Sequence, residues 1–180
     1  LEDDPTNIAA ANAIGANDLI ESIDAQGVSG TFTARLADSL DNDFEFTGGD
    51  GGVNLDIGDQ SDDDENTITV GTGSGDDTIE ISADVATDTT GASDDETFEL
   101  STGDGNDTLR VNADVGSAGD GSTINLGDGN NVIRILGNND IGEVAISGNV
   151  STLRMDDDAG ATVNGGIFDG GSIGVDAFGD

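Results

Sequence analysis

The sequence predicts an all-β protein whose short strands wind into a right-handed parallel β-solenoid. The main support is a near copy: residues 66–85 (NTITVGTGSGDDTIEISADV) return at residues 96–115 (ETFELSTGDGNDTLRVNADV), an offset of 96 − 66 = 30. Each copy holds two short runs in which aliphatic and polar residues alternate, as in a strand with one buried face. A glycine-rich turn joins the two runs, and self-similarity at a fixed period is typical of repeat architectures.

Strand signals recur along the chain as short alternating runs bounded by turn-forming residues. They lie at 31–36, 43–46, 53–57, 67–70, 78–81, 123–126, 132–135, 144–146, 152–155, 161–163 and 172–175, with two more in the second copy. The residues predicted to point inward are Phe44, Phe46, Leu55, Ile57, Ile68, Val70, Ile79, Ile81, Phe98, Leu100, Leu109, Val111, Ile124, Leu126, Ile133, Ile135, Leu153 and Met155. Together they predict a narrow ladder of apolar pairs as the core.

The turn of each copy alternates glycine with short polar residues. It consists of Gly73, Ser74, Gly75, Asp76 and Asp77 in the first copy and of Gly103, Asp104, Gly105, Asn106 and Asp107 in the second. Glycine permits positive φ, so a tight loop can aim backbone carbonyls inward while short Asp and Asn side chains close around a cation. Oxygen ligands of these kinds are those that calcium prefers, so the turns predict calcium sites.

This pattern resembles the RTX calcium-binding nonapeptide, Gly-Gly-x-Gly-x-Asp-x-(aliphatic)-x. The matching residues are Gly73, Gly75, Asp77 and Ile79, then Gly103, Gly105, Asp107 and Leu109, with Thr replacing the leading glycine in both copies. The resemblance covers roughly half of the chain. It implies a β-roll-like protein secreted by a bacterium or archaeon, with several calcium ions held between turns by the Asp residues and loop carbonyls. A regular roll has glycine turns on both edges, whereas one edge here is long and irregular.

Further candidate ligands lie outside the two copies. One later turn keeps the glycines but places Asn at the ligand position: Gly127, Asp128, Gly129, Asn130 and Asn131. An earlier turn keeps a glycine pair and offers Asp50, with Val53 where the ligand Asp belongs. The acidic run at 59–65 has oxygen-bearing residues at alternate positions, of which Asp59 and Asp63 are candidates, and a merely solvated loop is the alternative.

The composition excludes several function classes. Acidic residues number 39 and basic ones 4, so the formal charge is −35, and the fold requires bound cations, high salt or both. The large negative charge also disfavours nucleic acid and anionic membranes as partners. Cys and His are absent, which removes thiolate metal sites and the commonest general base. With no Ser-His, Cys-His or Walker-type arrangement, we expect a protein that is not an enzyme.

The 180 residues divide into an N-terminal cap or assembly arm (1–27) and the solenoid (28–180). Within the cap, residues 8–14 predict a helical patch, and residues 17–23 either continue it or form a first strand. No apolar run approaches the roughly 20 residues that span a bilayer, so no membrane insertion is expected. Weak multi-Asp sites fill mainly outside the cell, which predicts a secreted, extracellular or cell-surface location.

These features predict a calcium-binding extracellular structural protein that folds on calcium and polymerises with itself into a fibre, surface layer or adhesive matrix. The alternative function is an RTX-like secretion or folding module of a larger secreted enzyme or toxin. A third is a halophile's protein whose acidity reflects adaptation to salt. The alternative fold is an antiparallel β-sandwich with calcium-binding loops.

If alternate strands stack in one sheet, their outward positions form a single charged row. That row reads Asp56, Glu80, Arg110, Arg134 and Arg154. One interpretation is that the arginines neutralise nearby acidic loops. The other is that they form a cationic stripe for the acidic edge of another subunit or for an anionic glycan.

Overall fold

The computed structural model describes residues 7–8, 21–36, 43–58, 67–85, 97–116, 121–136, 144–155 and 174–177. All regular structure in these ranges is β-strand, and every pairing between strands is parallel. The fold is therefore a parallel β-solenoid as predicted, and the antiparallel sandwich is wrong. The described part of the chain contains no helix long and apolar enough to cross a membrane.

Successive strands alternate between two sheets. They are β1 (Asn7–Ile8), β2 (Ser22–Asp24), β3 (Phe32–Leu36), β4 (Phe44–Thr47), β5 (Val53–Ile57), β6 (Thr67–Gly71), β7 (Thr78–Ile81), β8 (Thr97–Ser101), β9 (Thr108–Val111), β10 (Thr123–Asn125), β11 (Asn131–Ile135), β12 (Ala145–Ser147), β13 (Val150–Met155) and β14 (Gly174–Ala177). Sheet A has the order β1-β3-β5-β7-β9-β11-β13-β14, and sheet B has the order β12-β10-β8-β6-β4-β2. Each coil of the solenoid thus contributes one strand to each sheet.

The core lies between the inner faces of the two sheets. In β5, for example, Val53, Leu55 and Ile57 are buried, whereas Asn54 between them is exposed. Every residue predicted to point inward is buried wherever its side chain is described. Full burial of a Leu, Ile or Phe side chain stabilises a fold by about 1.5–3 kcal/mol, so this ladder supplies the main cohesion within and between coils.

The two near copies are consecutive coils stacked in register. Thr67 pairs with Thr97 in sheet B, and Thr78 pairs with Thr108 in sheet A, each at the predicted offset. A repeat of one coil therefore places like residues above one another, with Ile79 on Leu109 in the core. Of the remaining predicted strands, 161–163 lies outside the described residues, and 172–175 is described only from residue 174.

The N-terminal segment differs from the prediction. Ile8 belongs to a strand that pairs with β3, so a helix that includes Ile8 is wrong; residues 9–20 lie outside the described ranges. Residues 22–24 form the first strand of sheet B and pair with β4, which confirms the strand alternative there. The physical reason is that an apolar segment beside an open sheet edge satisfies its backbone groups by pairing with that edge.

Candidate cation site at the glycine-rich turns

The glycine-rich turns stack on one edge of the solenoid. We call this the turn edge, formed by residues 48–52, 72–77, 102–107 and 126–130, which join β4 to β5, β6 to β7, β8 to β9 and β10 to β11. Backbone hydrogen bonds connect neighbouring turns: the Ser74 N–H donates to Gly49 O (3.2 Å), and the Asp128 N–H donates to Gly103 O (3.1 Å). The turn edge is therefore a continuation of the sheets around the corner.

Glycine is required where the turns approach most closely. Gly103 has a φ of +82°, and a Cβ built there would lie 1.9 Å from the Gly73 carbonyl oxygen. Gly127 has a φ of +57°, and its Cβ would lie 1.7 Å from the carbonyl oxygen of Gly103. Because both the backbone conformation and the contact exclude a side chain, the recurrent glycine sets the spacing of the coils.

We expect Gly103→Ala to lower the free energy of unfolding by at least about 2 kcal/mol, because the methyl group meets rigid backbone at a positive φ. Chemical denaturation measures this change. Gly27→Ala is the matched control, since a Cβ at that position meets nothing within 4 Å and its φ is not positive. Equal stability of the two variants would contradict the close stacking of the turns.

One buried row of side chains connects successive turns, and we call it the inner column: Val53, Asp77, Asp107 and Asn131. The Val53 N–H donates to Asp77 Oδ1 (2.8 Å), and the Asp77 N–H donates to Asp107 Oδ1 (3.0 Å). The Asp107 N–H donates in turn to Asn131 Oδ1 (2.9 Å). Each acid or amide thus satisfies a backbone donor in the preceding coil, which would otherwise be buried without a partner.

Asp77, Asp107 and Asn131 each form a second side-chain hydrogen bond, and this one lies within their own turn. The Thr72 hydroxyl donates to Asp77 Oδ2, and the Thr102 hydroxyl donates to Asp107 Oδ2. In the next coil the equivalent residue is Leu126, which has no hydroxyl, and there the Asn131 amide donates to the Leu126 carbonyl (2.6 Å). A change of partner therefore accompanies the change from Asp to Asn.

The RTX pattern begins with a glycine, and this chain has Thr at that position in both copies. The contacts above give these Thr residues a role. Thr72 and Thr102 are buried and hold the inner-column carboxylates, a role that the sequence interpretation missed. The available signal was their recurrence at the same distance before Asp77 and Asp107.

Asp84 and Asp114 also meet as neighbours on the opposite edge, where the Asp114 N–H donates to Asp84 Oδ1 (2.9 Å).

A second, exposed row runs beside the inner column, and we call it the outer column: Asp76, Asn106 and Asn130. The Asn106 N–H donates to Asp76 Oδ1 (2.8 Å), and the Asn130 N–H donates to Asn106 Oδ1 (3.1 Å). At the tip of the turns Asp104 and Asp128 lie side by side in neighbouring coils, and both are exposed. Three rows of oxygen-bearing groups therefore line the turn edge.

The inner-column carboxylates of Asp77 and Asp107 are buried and therefore poorly solvated. Burial raises the pKa of Asp77 to about 6; the hydrogen bonds from Thr72 and Val53 oppose this shift, and the nearby Asp107 and Asp76 carboxylates add to it. Burial likewise raises the pKa of Asp107, against the hydrogen bonds from Thr102 and the Asp77 N–H. Loss of hydration penalises a buried carboxylate, and a cation or a proton would relieve that penalty.

No arginine supplies that relief. The chain's basic residues are Arg35, Arg110, Arg134 and Arg154, and all of them occupy outward positions of sheet A. Asp107 and Arg110 lie on the same chain segment, but Asp107 is buried, whereas Arg110 is exposed on the other face. The two buried acids of the inner column, Asp77 and Asp107, consequently lack a basic partner.

The predicted ligands are brought together in rows rather than in one cluster. In the described ranges no group of three or more acidic side chains converges as a metal centre. A calcium ion at the turn edge would therefore combine Asp77 or Asp107 with Asn oxygens and turn carbonyls, and each carboxylate oxygen keeps a lone pair beyond its hydrogen bond. Asp59 and Asp63 lie outside the described residues, and Asp50 is exposed, where it accepts a hydrogen bond from the Ser74 hydroxyl (3.2 Å).

No family model matches the chain, and neither do curated proteins or solved structures. The resemblance to the RTX repeat therefore stays a prediction that depends on the turn residues of the two copies. The solenoid fold depends on the parallel pairing of the strands instead.

Proposed function

We propose that this chain is a calcium-binding extracellular structural protein that folds on calcium and associates with further copies into a fibre, surface layer or adhesive matrix. The observation that carries this proposal is the inner column, in which Asp77, Asp107 and Asn131 repeat one contact in successive coils. Catalysis needs one asymmetric constellation of groups, whereas repetition of a single contact favours a structural role.

Calcium is the cation that suits this site best. The available ligands are carboxylate, amide and carbonyl oxygens, which a hard divalent cation prefers, and the chain has no Cys or His to bind softer metals. An ion held between turns would neutralise the buried acids and connect two coils. Metal affinity would then be part of the free energy of folding.

An extracellular location follows from the same chemistry. Sites built from Asp, Asn and backbone carbonyls without a preformed cage bind calcium weakly, and such sites fill where calcium is abundant, outside cells. The formal charge of −35 also favours surroundings rich in cations, because self-repulsion within the solenoid is screened there.

We expect negative-stain electron microscopy to show filaments or layers in millimolar calcium and none after chelation, because neutralised solenoids can stack through repeated surfaces. Sedimentation in the same buffers measures the size of the assemblies. Magnesium serves as the control, since it retains its hydration water and fits irregular sites poorly. Monodisperse folded monomers in calcium would contradict assembly and favour a secretion or folding module of a larger protein.

A further inference from the structure

The outer face of sheet A carries a continuous row of charged residues. Neighbouring strands place Arg35 beside Asp56, Asp56 beside Glu80, and Glu80 beside Arg110. Arg110 then lies beside Arg134, and Arg134 beside Arg154. We call this row the charged column; in stacking order it reads Arg35, Asp56, Glu80, Arg110, Arg134, Arg154, Asp176. The register confirms the predicted row and adds Arg35 and Asp176 to it.

The charges in this column are unevenly distributed. At one end Arg35 Nε forms an ion pair with Asp56 Oδ2 (3.0 Å), and Glu80 follows, so that half contains both signs. Beyond Glu80 lie three arginines in succession, and the next strand places Asp176 beside the last of them, Arg154. Arg134 lies between two arginines on strands about 4.8 Å away on either side. The Arg134 Nε is buried and has no hydrogen-bond partner among the described residues. Like charges in this arrangement destabilise a sheet unless an acidic group faces them.

A row of short side chains runs beside the charged column on the same face. Its members, which are matched across the strands, are Thr33, Asn54, Thr78, Thr108, Val132 and Thr152. Short residues leave the face flat, with the charged groups as its tallest feature. A second flat sheet can therefore approach closely enough for charged groups on the two faces to meet.

We propose that this face binds the same face of a second copy of the chain. The two copies are related by a two-fold axis that runs parallel to the strands at the level of Arg110. Such an axis reverses the order of the charged column, so Glu80 meets Arg134 of the second copy and Asp56 meets its Arg154. Each contact occurs twice by symmetry, as in any isologous interface.

The order of charges along the column favours this alignment of the two copies over alignments shifted by half a strand spacing. At the proposed axis Arg110 alone faces its own copy, and this exposed side chain can turn aside. Moving the axis by half a strand spacing in one direction places Arg35 against Arg154 twice. Moving it in the other direction places Arg110 against Arg134 twice. Like-charge contacts at an interface are strongly unfavourable, so the proposed register is the favoured one.

The proposal depends on the strand register and charges of sheet A and does not require calcium between the turns. The tests below are made in calcium so that folding is not in question, at protein concentrations below those at which larger assemblies form. Filaments that persist in Glu80→Arg would overturn the proposed face and leave the proposed function intact, whereas dimers without filaments would support the face and contradict assembly into fibres or layers.

The test uses Glu80→Arg and Arg134→Glu, each of which converts two attractive contacts into repulsive ones. We expect each variant to raise the dimer dissociation constant at least about tenfold in sedimentation equilibrium near physiological ionic strength. Mixing the two variants is expected to restore dimers of wild-type affinity, because every altered contact in the mixed dimer again joins opposite charges. If mixing restores the affinity, the two residues contact each other between copies, because an effect of either substitution within its own chain would persist in the mixture.

Net charge provides an internal control. Glu80→Arg changes the formal charge from −35 to −35 + 2 = −33, so general repulsion alone would strengthen its association. Glu99→Arg makes the same change on an exposed position of sheet B and is expected to leave the dimer unchanged or slightly stronger. Weakening by Glu80→Arg but not by Glu99→Arg supports the proposed face.

Three results would overturn the proposal: a wild-type protein that stays monomeric at all concentrations, variants that dimerise as the wild type does, or a mixture without recovery. A monomer that binds an anionic polysaccharide through Arg134 would assign the column to a glycan instead. If a variant fails to fold, Glu80→Gln and Arg134→Gln replace it. Each of these is expected to weaken the dimer by a smaller factor, and mixing them is expected to restore part of the affinity, because one of the two contacts in the mixed dimer again joins Glu80 to Arg134.

Discussion

At pH 7 and low ionic strength, chelation of divalent cations is expected to abolish the β-type circular dichroism of this protein, and millimolar calcium is expected to restore it. The formal charge of −35 opposes any compact state, and the buried inner-column acids have no basic partner to offset it. Ordering the glycine-rich turns costs additional conformational entropy. Calcium relieves the charge and connects the turns, so folding and binding occur together.

Salt provides the decisive comparison for this experiment. Molar KCl screens charges throughout the surface but does not replace a specific ligand shell, whereas millimolar CaCl₂ contributes little screening. Recovery in calcium alone supports sites at the turn edge. Equal recovery in KCl would indicate a halophile's acidic surface, and a fully folded chelated protein at low salt would contradict coupled folding altogether.

Acidification is expected to stabilise the calcium-free solenoid, because protonation neutralises the buried carboxylates of the inner column, as a bound cation would. The pKa of Asp77 is raised from 3.8 to about 6, so the folded state binds this proton more tightly than the unfolded chain does. The resulting stability is fully present below about pH 4 and is lost as the pH rises through about 6. At about 1.4 kcal/mol per pKa unit, Asp77 contributes about 3 kcal/mol to this change, and Asp107 acts in the same direction.

Circular dichroism in chelator from pH 7 down to pH 4 measures the return of the fold, and urea denaturation measures its stability at each pH at which the chain is folded. Three variants identify the source of the pH dependence. Asp77→Asn is expected to flatten much of the profile while keeping the column intact, because Asn131 already occupies the equivalent place in a later coil. Asp77→Ala also removes this pH dependence, and it leaves the Val53 N–H without an acceptor, so its profile is expected to be similarly flat and to lie about 1–3 kcal/mol below that of Asp77→Asn. Glu99→Gln removes an exposed charge and is the matched control. If the free energy of unfolding of the wild type decreased as the pH was lowered, the assignment of the pH dependence to the inner-column acids would be refuted.

The strands and their pairing partners were accessible from the sequence for a physical reason. In a solenoid the neighbour of each strand is its own repeat, so the offset between the copies also predicts the register, and Glu80 beside Arg110 follows directly. Burial of Leu55, Ile79 and Leu109 follows from alternation, because side chains on a strand point to opposite faces. The same reasoning failed at Ile8, where pairing with β3 replaced the local preference for a helix.

The position of the glycine-rich turns could be predicted from the sequence, but the contacts within them could not. Glycine spacing located the turns, yet it did not show that Thr72 and Thr102 hold the carboxylates from within the turn. Nor did it place Arg35 in the charged column, because that position depends on where β3 pairs with β5.

By itself the sequence determined that this protein is a repeated array of short strands with acid and glycine at its turns, because alternation, turn chemistry and repeat period are properties of neighbouring residues. Only the tertiary structure decided that the strands pair in parallel, and that the Asp77 and Asp107 carboxylates face the preceding coil and lie buried. The donors that they accept from are 24 and 30 residues away, and they come within reach only when the coils stack. Burial and the raised pKa of these acids follow from that stacking.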